Sequence, residues 1–265
     1  YGRYPALNEI LTIALNTHKE AIRNKVFYII LLFVLLLLAS SILLATLALG
    51  EQDRIVKHLG LSAINVFGLL LAAFVGVSLV HEELEKRTIY TIIATGVSRT
   101  QFILGKFFGL LLTVVTNVVV MGIILCILLV VMPGCSLKPS VIYAIFLFLF
   151  EMMVITAIAV LFSSFSTPVL SAALTLMCYV IGHLSEDLLE FAKRVAEQGN
   201  VILSYVLTGV YYILPNLEIY NIKNQVVYQE SIAPFLTWKY PALAILYSGI
   251  LLFITAFSFS RRDFK

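Results

Sequence analysis

Few residues in this sequence can do chemistry, and they are unevenly placed. Between Pro139 and Ser185 the chain carries one ionised group, Glu151, in 47 residues. An isolated charge among so many apolar neighbours costs several kcal/mol. Glu151 therefore either serves an ion or substrate path, or sits protonated or hydrogen-bonded to a polar neighbour such as Asn117 or Thr156. His18, His58, His81 and His183 lie near the ends of apolar runs and form no cluster, so they read as interfacial rather than as metal ligands. Cys126, Cys135 and Cys178 are odd in number and widely spaced, which excludes a disulfide framework and a CxxC metal site. The five methionines read as apolar filling, although Met152-Met153 beside Glu151 leaves a soft-metal path open. No Ser–His pair within the apolar runs, no Asp–Asp pair and no His-Glu-x-x-His occurs. No catalytic residue and no metal ligand is assigned, which sets aside an intramembrane protease or lipid transferase. Gly105-Lys106 is followed by Phe107 and lacks the Gly-x-x-x-x-Gly-Lys-[Ser/Thr] phosphate loop, so this chain alone does not hydrolyse ATP.

The charge missing from the apolar runs collects elsewhere. Seven charged residues, Glu82, Glu83, Glu85, Lys86, Arg87, Arg99 and Lys106, crowd one short stretch. Glu82–Lys86 and Glu83–Arg87 are i, i+4 pairs of favourable orientation, worth only a few tenths of a kcal/mol each. Ile89, Ile92 and Ile93 make a short apolar stripe, which predicts a brief helix over 82–94 ended by a left-handed cap at Gly96. Ser98 and Gln101 have capping-box spacing and open the next helix, which runs on through Gly105-Lys106. The charges can simply solvate an exposed helix. A compact, capped projection is nonetheless more than a plain connector needs, and it fits a docking site for a partner.

The elements that position these residues follow from composition. The chain is 61% hydrophobic and 12% charged, against about 45–50% and about 25% in soluble domains. Its net charge of +3 is too small for a nucleic-acid footprint, and its hydrophobicity excludes disorder. It reads as an integral membrane protein. A crossing helix needs about 20 apolar residues, and six runs qualify: the 25 uncharged residues between Lys25 and Glu51, Leu59–Val80, the 31 uncharged residues between Lys106 and Lys138, two crossings within 139–185 separated at Ser163–Pro168, and Tyr240–Ser260. Val201–Leu214, at 14 residues, is too short for a seventh. No signal peptide is visible in the first 25 residues. With the N-terminus inside, 11 Lys and Arg residues fall on the inner side and seven on the outer. That bias predicts both termini in the cytoplasm.

Two further segments are amphipathic. Leu7, Ile10, Leu11, Ala14, Leu15, His18, Ala21 and Ile22 recur at helical spacing, which predicts an interfacial helix over 6–23, lying either on the membrane or on the protein's own surface. In the outer loop 186–239, Ser185 is placed to N-cap one short helix, Gly199 follows its end, and an apolar 14-mer stops at Pro215. This predicts two short helices that cap the outer mouth without crossing.

The stretch after the second span resembles the inner-loop signature of type-two ATP-binding-cassette (ABC-2) permeases, the membrane subunits of bacterial exporters. Glu83, Glu85, Thr88, Thr95, Arg99 and Gly105-Lys106 match the family pattern, while Arg87 replaces its usual glycine and Gly96 its usual proline. Leu214-Pro215-Asn216 and Arg261-Arg262-Asp263-Phe264 are similar too. The resemblance implies one all-α permease domain over 1–265, with an elbow helix (1–25), a cytoplasmic coupling loop (81–106), six transmembrane helices and a long outer loop (186–239). It implies a coupling helix seated on an ATPase subunit through Glu82, Glu83, Glu85, Lys86, Arg87, Thr88, Ser98, Arg99, Gly105 and Lys106. It also implies ATP and Mg in that partner and no cofactor in this chain, a second permease copy (a homodimer first), export by alternating access, and a place in the bacterial inner membrane. A variant of the same machinery does mechanical work on an extracytoplasmic protein, as in permeases of nitrous-oxide-reductase maturation. From a different class, an ion-coupled carrier or channel would use Glu151 and leave the capped inner loop unexplained.

Overall fold

A computed structural model describes residues 6–47, 50–77, 98–228 and 238–260. Among them every regular element is a helix, as an apolar chain that must satisfy its own backbone in lipid requires. The helices are α1 (Ala6–Arg23), α2 (Lys25–Leu47), α3 (Gln52–Leu70, continued by a π-helical turn Leu71–Val75), α4 (Arg99–Val131), α5 (Pro139–Ser163), α6 (Pro168–His183), α7 (Ser185–Glu197), α8 (Val201–Ile213), α9 (Lys223–Tyr228) and α10 (Lys239–Ser260). A 3₁₀ turn, Glu218–Tyr220, precedes α9.

Length and apolarity qualify α3, α4, α5 and α10 as membrane spans among the described residues, and two bent pairs, α6 with α7 and Glu218–Tyr228 with α8, pass the same test only when each pair is taken together as one broken or re-entrant segment. α2, 23 residues long with its formal charge confined to Lys25, coincides with the first predicted span. The long α4 and α5 form the spine. α1 lies along the start of α4, α3 and α10 pack on both α4 and α5, α2 packs on α3, and α6 packs on α5. Their contact surfaces make one apolar core through Leu61, Phe107, Met121, Leu125, Phe148 and Met152.

Three expectations are corrected by the structure. The second span begins before Leu59, because α3 starts at Gln52 and draws Lys57 into full burial. Asp53, one turn earlier, makes this possible: its carboxylate is 2.6 Å from Lys57 Nζ, so the charges enter as a pair, and its other oxygen accepts the Ser136 backbone N–H at 2.8 Å. The fifth crossing is short. α6 has 16 residues and bends by 70° into α7 at Leu184. Ser185 does not cap that next helix; it is the helix's first residue, and Leu184 holds the N-cap place without a side-chain bond. Past α7 the chain reverses through Gly199, at φ +85°, a conformation that suits a residue lacking Cβ. α8 then returns alongside α7 with none of its residues buried.

The predicted helix over 82–94, with Glu82, Glu83, Glu85, Lys86, Arg87 and Thr88, lies outside the described residues. Its downstream border is described. Ser98 Oγ accepts the Gln101 N–H at 3.2 Å and Gln101 Oε1 accepts the Ser98 N–H at 2.6 Å, which is the capping box expected from the sequence. Arg99 opens α4 directly behind it.

Candidate functional site

Glu151 lies at the middle of α5 and is fully buried. Its hydrogen bonds come from neither Asn117 nor Thr156. Thr156 donates back to the Met152 carbonyl of its own helix, and the amide of Asn117 finds no partner among the described residues. The partners are residues far away in the sequence. Asn65 Nδ2, on α3, donates to Glu151 Oε2 at 2.9 Å. His183 Nε2, at the last residue of α6, lies 2.8 Å from Glu151 Oε1. His183 Nδ1 then meets Glu218 Oε2 at 2.8 Å. The Tyr179 hydroxyl donates to Asn65 Oδ1, one turn before His183 on the same helix face. A buried carboxylate is tolerable only with such partners.

Backbone geometry brings the second carboxylate in. Beyond α8, Pro215 and Asn216 turn the chain toward α6, where the Leu217 N–H donates to the Gly182 carbonyl at 3.0 Å. Gly182 has to lack a side chain, since a Cβ there would stand 2.8 Å from Leu217 Cγ and 2.9 Å from the Pro215 oxygen. Glu218 is then steadied by Asn216, whose Oδ1 accepts its N–H at 3.1 Å, and by Asn221 Nδ2, 3.2 Å from both its oxygens. Glu218 opens onto a cavity of about 430 Å³, lined also by Ser62, Asn65, Phe148, Tyr179, His183 and Lys223. Lys223 Nζ donates to Ser62 Oγ at 3.1 Å across it.

No group of three His, Cys, Asp or Glu side chains converges on a metal position among the described residues. At His183 the two ring nitrogens face different carboxylates, Glu218 and Glu151. Met153 packs against the apolar core beside the network.

The described residues assigned to the coupling loop sit in a second region. Gly105 and Gly109 receive α1. A Cβ on Gly109 would lie 2.5 Å from the Ala14 carbonyl oxygen and 2.6 Å from Thr17 Cβ, and one on Gly105 would lie 2.7 Å from Ile13 Cβ. The amphipathic α1 therefore lies on the protein itself through Ala14, Thr17 and Ala21, with Leu11 and Leu15 exposed. His18 Nδ1 meets Thr113 Oγ1 at 3.0 Å, and partial burial lowers the His18 pKa from its ordinary 6.5. Lys106 is buried, with Nζ 3.9 Å from Glu20. Gly105 and Lys106 thus stand inside a helix and face α1, an arrangement with no exposed backbone N–H groups to cradle a phosphate.

The polar network was missed by sequence reasoning, which left Glu151 without its true partners. One signal was visible: Tyr179 and His183, four residues apart, share a face of a mostly apolar helix.

A family model described as "ABC-2 family transporter protein" matches residues 11–264. The chain belongs to the ABC-2 transporter family. It is accordingly a multi-pass membrane component of a transporter, of a kind that generally works with an ATP-binding subunit, and it is not the catalytic part. No curated protein matches the chain closely enough to be compared with it.

Proposed function

We propose that this ABC-2 chain is the permease subunit of an exporter in a bacterial cytoplasmic membrane, driven by a separate ATP-binding subunit. The family match over nearly the whole chain carries the reading. Two copies, a homodimer first, assemble on two ATPase subunits that hold ATP and Mg. Both termini and segment 81–106 face the cytoplasm, and residues 186–239 face outward. Within 81–106, Glu82, Glu83, Glu85, Lys86, Arg87 and Thr88 form the coupling helix seated on the ATPase. Ser98 and Arg99 fix where the following helix begins, and Gly105 with Lys106 ties that helix to α1. The capping box supports this division of labour, because it gives the coupling segment a rigid end on a 33-residue helix. A push on the segment is thereby passed to the bundle as tilt of α4 and α1, converting an inward-open path to an outward-open one.

The test is co-expression with an ATP-binding-cassette subunit, followed by measurement of complex formation and ATP turnover. Glu83→Lys with Glu85→Lys is expected to abolish copurification or uncouple turnover while the permease still inserts. Undiminished assembly and turnover in the charge-reversed protein would remove the docking role.

A further inference from the structure

Permease action through segment 81–106 makes no use of the buried network around Glu151, which has a chemistry of its own. A neutral imidazole has one N–H, yet both nitrogens of His183 face a carboxylate oxygen at 2.8 Å. Two hydrogen bonds among three titratable groups need two protons. They sit either as an imidazolium between two carboxylates or as a neutral imidazole with one protonated carboxyl. Both arrangements carry the same net charge, so the protons can shift without separating charge from the cluster.

Exposure along the chain is graded. The Glu151 side chain is 0% exposed, His183 16% and Glu218 36%. The innermost group thus has no exposed surface of its own, and the outermost opens onto the cavity. We propose that Glu151, His183 and Glu218 form a proton-exchange site that delivers protons between the aqueous cavity and the centre of the helix bundle. In the second arrangement, with one proton on Glu218 Oε2 and the other on His183 Nε2, the Glu218 proton exchanges with water. It then passes to His183 Nδ1 as the Nε2 proton passes to Glu151 Oε1. The imidazole ends in its other tautomer, Glu151 ends neutral, and the negative charge has moved to Glu218. Reversal of the two transfers restores the start.

The surroundings suit this. Asn65, on α3, fixes the second Glu151 oxygen and is itself held by the Tyr179 hydroxyl of α6, leaving Oε1 to His183. Tyr220 is near enough to interact electrostatically with Glu151. Lys223, with His58 near it, supplies positive charge beside the cavity, and Asn221 holds the Glu218 carboxylate. α5 contributes apolar Phe148 to the cavity wall.

The test is infrared difference spectroscopy on the full chain in lipid nanodiscs, with protons or deuterons in the buffer as the only probe and no ATPase present. It therefore stands or falls separately from the docking experiment. A protonated-carboxyl band is expected to change with buffer pH, to shift in heavy water, to disappear in Glu151→Gln and to move in frequency in Glu151→Asp. The second variant preserves the assignment should the first fail to fold. In Glu218→Gln the Glu151 band is expected to persist but to exchange about tenfold or more slowly, as when about 1.36 kcal/mol is added to a barrier. A band indifferent to buffer pH would overturn the site. Equal exchange rates in wild type and Glu218→Gln would overturn the route.

Discussion

The two polar regions of this molecule are built in opposite ways. At the start of α4, the capping box bonds near neighbours, Ser98 with Gln101, and two glycines four apart, Gly105 and Gly109, admit the backbone of α1, so the joint is mostly steric. At the middle of α5, one carboxylate gathers Asn65, His183 and, through it, Glu218, separated by 86, 32 and 35 residues along the respective bonds. The first region needs close approach; the second needs every partner present. Sensitivity to substitution should differ accordingly.

The largest loss is expected for His183→Leu. It strands Glu151 without its main partner, and breaking a buried pair in this way costs about 3–5 kcal/mol. Thermal unfolding in detergent should show it, whereas Glu218→Gln, at the more exposed end, is expected to cost no more than about 1 kcal/mol. Equal losses for the two would erase the gradient of burial along the network. Gly109→Ala ranks next. Its Cβ meets backbone at the α1 contact, and overpacking of this kind costs about 1–3 kcal/mol; cysteines placed on α1 should become reactive to a soluble thiol reagent. Removing the cap by Ser98→Ala is expected to cost about 1 kcal/mol, visible as faster amide exchange in the first turn of α4 and nowhere in α5. The smallest effect is one of pH. Burial depresses the His18 pKa, so the unfolded chain binds protons more readily than the docked one. The α1 contact should be at full strength above the ordinary His value and weaken as pH falls through and below 6.5. His18→Gln should remove that dependence.

The same contrast decides what could be read in advance. Apolar runs set the helices, since lipid permits little else, and the break at Ser163–Pro168 falls where α5 ends and α6 begins. Ser98 and Gln101 announced their bond because capping is local. Lys57 misled: a charge in sequence marks the water side, and only its pairing with Asp53 and the link to Ser136 carries it inside. The partners of Glu151 were hidden for a related reason. Which helix faces meet is a tertiary property, and the re-entry of Glu218 depends on a turn after Pro215 docking on Gly182. A lone carboxylate indicated that partners must exist without indicating which.

Cross-linking from the coupling segment tests the central claim most directly. A cysteine introduced by Glu85→Cys, in the permease coexpressed with its ATP-binding subunit, should couple to that subunit in membranes, while Tyr212→Cys on α8 should not. Cross-linking from position 212 but not from 85, in an intact complex, would contradict the assignment of 81–106 as the docking surface.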